Sequence, residues 1–150
     1  MSDTARGRVV AIARSFIGTP YHPCGALKGT GVDCGTLLAL VYIEAGAIEA
    51  FDPGIYSPQW HLHRRSPRYL NAVAQRAREI ARDAVRPGDL VLYRLVRDQF
   101  AHGAIITAID GGSLRIVHAA ADLRRVIEGF EQEFPTLAGR ERKFFTPFAV

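Results

Sequence analysis

The sequence predicts an α+β fold in which helices come first and an antiparallel sheet follows. In the first half, apolar residues recur at the spacing of a helix face, and in the second half short apolar runs are separated by turn residues. Helices followed by a run of strands favour an α+β arrangement. The chain has 150 residues, of which 48% are apolar and 23% charged, so we expect one globular domain over residues 1–150.

The first predicted helix covers residues 4–17 and is ended by Gly18 and Pro20. Residues 19–32 are rich in glycine and proline, which indicates a loop. The apolar face of this helix comprises Val9, Val10, Ala13, Phe16 and Ile17.

A second helix is expected from about Cys34 to Gly46, with Asp33 as its N-cap and Gly46 as its terminator. It is apolar nearly all round, so we expect it to be buried. Residues 47–65 show no clear period, and such a long irregular stretch in a compact domain is usually functional.

A third helix is expected from Ser66, with Pro67 in its first turn. Its apolar face comprises Leu70, Val73, Ala77 and Ile80. Strand candidates follow the turn at 86–89, and residues 110–113 predict a hairpin between two of them. These candidates are 90–95, 103–109, 114–119, 126–130 and 143–148. We therefore expect N-terminal helices packed on an antiparallel sheet of about five strands.

Charge and composition exclude several classes of protein. The net charge is +4 with 17 arginines and 2 lysines, but the arginines are scattered and no basic stripe is interleaved with aromatic residues, so we expect no nucleic-acid partner. No apolar run reaches the roughly 18 residues of a membrane span. The N-terminus has no secretory signal pattern, so we expect synthesis in the cytoplasm without a signal peptide.

Cys34 stands where a nucleophilic cysteine would be placed, after a glycine-rich loop and at the start of a helix. Free amides and the helix dipole at that position favour the thiolate, which is the reactive form. His102 and His118 lie on adjacent predicted strands, so one can be the base and the other its orienting partner. The alternatives remain that Cys34 is a small buried hydrophobe and that the histidines are structural.

The hairpin register tests this hypothesis. A two-residue loop at Gly111 and Gly112 pairs His118 with Ile105 and turns His102 to the opposite face of the sheet. A loop of odd length, or an equivalent bulge, pairs His118 with Ala104, and both histidines then share a face. We predict the odd loop or the bulge.

An ordered set of motifs resembles one family. The set comprises IGTPY at 17–21, VDCGTLL at 32–38, PGDLVLY at 87–93, AHGAII at 101–106 and IVHAA around His118. In this order they resemble the NlpC-type cysteine peptidases of bacterial cell walls, which have a papain-like fold.

The resemblance implies a role for each of five residues. Cys34 is then the nucleophile, His102 the base and His118 the residue that orients the base. Tyr21 lines the site near the oxyanion, and Asp33 shapes the substrate site. No cofactor or metal is implied. The implied reaction is hydrolysis of a peptide bond in the peptidoglycan stem, typically between D-glutamate and a diamino acid.

The chain departs from the family pattern at three places. Gly35 stands where serine is common, and Pro23-Cys24-Gly25 replaces a Trp-Gly-Gly loop. The stretch between Cys34 and His102 is also longer than usual, which resembles the peptidases encoded with phage tails and gene transfer agents. That resemblance implies carriage in a particle, action in the periplasm or cell wall, and phage-like tail proteins as partners.

Other interpretations stay open at this point. A thiol acyltransferase or amidase of the same fold group, or a structural tail-tip protein with a vestigial site, fits the same motifs. His61 and His63 alternate as two metal ligands would, but a surface loop is the commoner explanation, and we predict no metal. Trp60 either lines a substrate groove or anchors its loop, and we assign Cys24 no role.

Overall fold

The structure is a computed structural model that describes residues 2–51, 68–96 and 99–149. The described residues contain three α-helices. They are α1 (Ser2–Ser15), α2 (Cys34–Glu44) and α3 (Arg68–Gln75). The predicted starts at Ser66 and Pro67, and the residues Trp60, His61 and His63, lie outside the described residues. None of the helices described is long and apolar enough to cross a membrane.

Among the described residues, six strands form one antiparallel sheet in the order β3-β8-β4-β5-β6-β7. The strands are β3 (Arg78–Ile80), β4 (Leu90–Val96), β5 (Gln99–Asp110), β6 (Ser113–Ala120), β7 (Arg125–Phe130) and β8 (Arg142–Thr146). Two further two-residue strands, β1 (Ala26–Leu27) and β2 (Gly31–Val32), pair within the loop before α2. The fold is α+β, as predicted.

The sheet separates two apolar clusters. One lies between the sheet and the helices and includes Leu38, Leu92 and Val117. The other lies on the opposite face and includes Ile106, Ile116 and Phe134. Since both faces are buried, strands such as β5 are apolar on both sides instead of alternating with polar residues.

Some predicted details of the fold are wrong. The sheet has six strands, close to the expected number of about five, but residues 78–80, which pair with β8, were not predicted as a strand. Helix α3 ends at Gln75, so Ile80 lies on strand β3 and not on a helix face. Ile17 lies beyond the end of α1 and is 46% exposed. The chain has already left the helix there, and Gly18 adopts a positive φ of 91°.

Candidate active site

Helix α2 begins at Cys34 with a well-formed cap. One carboxylate oxygen of Asp33 accepts a hydrogen bond from the Thr36 amide at 2.9 Å, and the Thr36 hydroxyl accepts one from the Asp33 amide at 2.8 Å. The other carboxylate oxygen accepts from the Cys24 amide at 2.9 Å. Asp33 therefore fixes both the first turn of α2 and the loop before it. The helix ends as predicted, with Gly46 at a positive φ of 74°.

The sulfur of Cys34 lies against the main chain of β5, on both sides of His102. Its Sγ is 3.7 Å from the carbonyl oxygen of Ala101, and the Gly103 amide acts on it as a hydrogen-bond donor. Pairing between β5 and β6 runs from the hairpin turn as far as Ile105 and Val117. The half-buried thiol thus meets the edge of β5 beyond the last paired residue.

The register between β5 and β6 confirms the predicted bulge. The turn is the two-residue type, and Ala108 pairs with Arg115. Past Thr107 the register shifts by one, so Ile106 pairs with Ile116. That shift puts His102 and His118 on one face of the sheet, the face of the second apolar cluster.

The two histidines are directly hydrogen-bonded. Nε2 of His102 lies 2.9 Å from Nδ1 of His118, and the two rings are perpendicular. His118 is 2% exposed, its ring packs edge-on with Phe134, and its Nε2 has no hydrogen-bond partner among the described residues. Because Nε2 of His102 is occupied by His118, Nδ1 is the nitrogen of His102 left for another proton transfer.

Both imidazoles are neutral near pH 7. Burial, together with the neighbouring His118, lowers the pKa of His102 to about 3. Burial also lowers the pKa of His118 to about 4, although Asp122 opposes the shift. A neutral His118 has a lone pair with which it can accept a proton shared from His102.

The pKa of Cys34 moves opposite to the prediction from its helix position. The amides of Gly103, Gly35 and Cys34 itself lower it, as expected at a helix N-terminus. Burial outweighs them, and with the negative charge of Asp33 it raises the pKa of Cys34 to about 12. The structure therefore does not support the expected preformed thiolate, because burial favours the thiol form of Cys34 in the folded protein.

Tyr21 lies near the Cys34 thiol, and Cys24 lies beside Asp33. Tyr21 forms a bridge with Val32, two residues before Cys34. Burial, then the nearby charges of Cys34 and Asp33, raises the pKa of Tyr21 to about 12, so its hydroxyl remains a donor. Cys24 is held in the left-handed region at φ 64°. The structure thus brings Tyr21 and Asp33 to the thiol, and His102 and His118 to each other across the adjacent strand.

Sequence reasoning missed two contributions to this site. The main chain of Ala101 and Gly103 contacts the sulfur, but backbone groups carry no residue-type signal. Phe134 packs on His118 from the segment after β7, and nothing in the sequence links these positions. Of these two residues, Gly103 has a residue type that the structure explains. An added Cβ there would lie 2.7 Å from Leu70 Cδ2, so any larger residue would require the Leu70 side chain to move.

Comparison with solved structures finds the same fold in NlpC/P60 proteins and in an amidase. One match is a lipoprotein-like NLP/P60 family protein from Staphylococcus aureus, with a TM-score of 0.63 and 21% sequence identity. The alignment covers 100% of this chain and 43% of the Staphylococcus aureus chain. A second match is NlpC1 from Trichomonas vaginalis, with a TM-score of 0.64 and 14% sequence identity. The alignment covers 95% of this chain and 43% of the NlpC1 chain. A third match is an N-acetylmuramoyl-L-alanine amidase from Bacteroides uniformis, with a TM-score of 0.61 and 10% sequence identity. The alignment covers 95% of this chain and 98% of the amidase chain.

The α+β fold is therefore the papain-like fold of NlpC/P60 structures, as expected. No protein-family model matches the sequence, and no curated protein matches it. This chain spans less than half the length of the NlpC/P60 chains that it matches.

Proposed function

We propose that this chain is a cysteine-type peptidoglycan hydrolase that cleaves a peptide bond in the stem. The observation that carries the proposal is the position of the Cys34 sulfur against the main chain on both sides of His102, whose far nitrogen is bonded to buried His118. A thiol, a base and a partner that orients the base are the parts that acyl transfer requires. The likeness in fold to NlpC/P60 proteins and to a muramoyl-alanine amidase supports peptidoglycan as the substrate class.

In the proposed mechanism the ion pair forms only during the reaction. As Sγ of Cys34 attacks the peptide carbonyl carbon, its proton moves to Nδ1 of His102. The imidazolium then donates from Nε2 to neutral His118, which keeps the ring in place. The Cys34 amide and the Tyr21 hydroxyl stabilise the oxyanion. Collapse of the tetrahedral intermediate breaks the C–N bond, and His102 returns the proton to the leaving amine. Water then attacks the thioester, and Cys34 leaves again as a thiol.

The bond we propose is the one between D-glutamate and the diamino acid, which the sequence resemblance to NlpC-type peptidases supports. A specific observation favours a second candidate, the amide between the muramoyl group and L-alanine. The Bacteroides uniformis amidase is similar to this chain over nearly its whole length. Both reactions are acyl transfers and use the same residues here, so only the products separate them.

Digestion of purified muropeptides, followed by mass spectrometry, tests the proposal. The protein should release new stem fragments, Cys34→Ala should release none, and Cys24→Ala, the matched control for loss of a thiol, should retain cleavage. Fragment masses identify the bond. Muropeptides left intact by the folded protein across pH 5–9 would contradict the proposed function and favour a structural protein with a vestigial site.

We further propose that the protein acts in the periplasm or cell wall, carried there in a phage-like or gene-transfer-agent particle. The long stretch between Cys34 and His102 supports this, since it resembles the peptidases encoded with such particles. Immunoblotting of particles purified from culture medium should detect the protein together with tail proteins. Its recovery only from free, unsedimented material would contradict carriage in a particle.

A further inference from the structure

A single residue sets the register that brings the two histidines together. From the turn to Ala108 and Arg115, the paired positions of β5 and β6 follow the two-residue loop. The next pair is Ile106 with Ile116, so Thr107 is an extra residue on β5 without a counterpart on β6. A regular ladder that included Thr107 would instead pair His118 with Ile105 and turn His102 to the other face.

Hydrophobic patterning discriminates poorly between these two registers. Ala104, Ile105 and Ile106 are all fully buried, so both faces of β5 are apolar at this point. Register is strongly specified when one face is apolar and the other polar, because a slip then exposes apolar groups. Here a slip exchanges one buried apolar face for another, so a polar interaction is needed to select the bulged form.

Thr107 supplies that interaction. Its side chain is 5% exposed, and its hydroxyl donates to the Glu128 carboxylate on β7 at 2.8 Å while lying 3.2 Å from the Arg115 carbonyl oxygen. Glu128 is itself fixed by Arg14 of α1 and Arg115 of β6, each at 3.1 Å. The hydroxyl of the bulged residue is therefore tied to three other elements of the fold.

The charge on Glu128 is maintained by the same contacts. Burial raises its pKa, but hydrogen bonds from Thr107, Arg14 and Arg115 and the charge of Arg14 together lower it overall. A hydrogen bond to an ionised acceptor is roughly twice as strong as a neutral one. In the regular register this carboxylate would lose its hydroxyl donor.

We propose that Thr107 and Glu128 are positioning residues, whose hydrogen bond holds the bulge that keeps His102 and His118 on one face of the sheet. The inference rests on the proposed function only for the chemical role of the histidine pair. The bond between the histidines is a property of the folded protein and is measurable without substrate.

The test measures two properties that a purely structural residue would not change together. The first is the low-field NMR signal of the imidazole proton shared by His102 and His118. The second is the pH profile of alkylation at Cys34, recorded in a Cys24→Ala background. Thr107→Val removes the hydroxyl but keeps the β-branched shape. We expect it to lose about half of the signal, because two registers of otherwise similar energy are populated about ten to one with the hydrogen bond to a charged group and about equally without it.

Two matched variants make the test specific. Thr107→Ser restores the hydroxyl and should restore both the signal and the alkylation profile. Deletion of Thr107 should also keep the signal, because it removes the extra residue without changing the register beyond it. The pair of Ala108 with Arg115 is then followed directly by the pair of Ile106 with Ile116, as in a regular ladder. The pairing of β5 with β4 is unaffected, because its last contacts join Ile106 to Asp89 and Gly88. If Thr107 only added stability, its deletion would be at least as harmful as Thr107→Val.

A Thr107→Val protein that keeps the full signal would overturn the proposal, as would a folded deletion variant that loses it. If Thr107→Val does not fold, Glu128→Gln decides, because it leaves an acceptor but removes the charge, and it should weaken the signal. An unchanged signal in Glu128→Gln would also count against the proposal. Failure of the wild-type protein to cleave muropeptides would contradict the proposed function but leave these signals, and this inference, standing.

Discussion

Acid should destabilise this protein through His118, and replacing that residue should reduce the effect. His118 is buried, and in the folded state its pKa is lowered to about 4. In the unfolded chain a histidine titrates near pH 6.5. The native state therefore binds fewer protons than the unfolded state between these two values, and stability falls as the pH decreases through that window.

The size of the effect follows from the two pKa values. A difference between about 4 and about 6.5 corresponds to about 3 kcal/mol once the pH is below both values. Of this contribution to the free energy of unfolding, about 2 kcal/mol is lost between pH 7 and pH 5. In His118→Asn this contribution is absent, so the decrease in the free energy of unfolding over that range should be smaller by about 2 kcal/mol.

Urea denaturation at pH 5, 6 and 7, followed by circular dichroism, measures this difference. His22→Asn is the matched control, because it removes a histidine whose side chain is exposed. The comparison concerns the slope with pH and not the stability at one pH, since His118→Asn also removes the bond to His102. Equal slopes in the wild type and His118→Asn would refute the idea that His118 is held neutral by burial.

Three further substitutions should lower stability by separate mechanisms, each measurable by urea denaturation at pH 7. Asp89→Asn should cost about 3 kcal/mol, because it leaves buried Arg6 without its carboxylate at 2.8 Å. Asp33→Ala should cost about 1 kcal/mol through loss of the α2 cap, and Asp33→Asn less. Gly103→Ala should cost about 1–3 kcal/mol, because the new methyl group would overlap Leu70 and the neighbouring side chains must move. A loss below about 0.5 kcal/mol in Asp89→Asn, Asp33→Ala or Gly103→Ala would contradict the mechanism stated for that substitution.

The parts of the site that sequence reasoning predicted correctly depend on local rules. Asp33 caps α2 because a short acidic side chain before an apolar run satisfies the first amides of a helix. The shared face of His102 and His118 was predictable because strand periodicity is two and only an odd offset brings them together. The sequence did not indicate whether the offset came from the loop or from a bulge, since Thr107 binds a residue of β7, 21 positions away.

What the sequence could not predict depends on burial. The helix position of Cys34 indicates stabilising amides, and those amides are present, but the net pKa depends on how much water reaches the sulfur. Strand β3 was missed for a related reason. It is three residues long, and pairing with β8 at the sheet edge, not its own pattern, determines its structure.

The neutral resting site and the gap between β5 and β6 have a common explanation. A sulfur that reaches the strand edge past the last β5–β6 pair must give up most of its water, and this loss raises its pKa and lowers that of His102. The same dry environment strengthens any ion pair formed inside it. Under the proposed mechanism, charge separation is therefore costly at rest and is favoured only when an oxyanion forms that can use the amides around Cys34. Under the proposed mechanism the bulge at Thr107 matters more than the helix dipole, because it puts His102, the proposed acceptor of the thiol proton, on the same face of the sheet as His118.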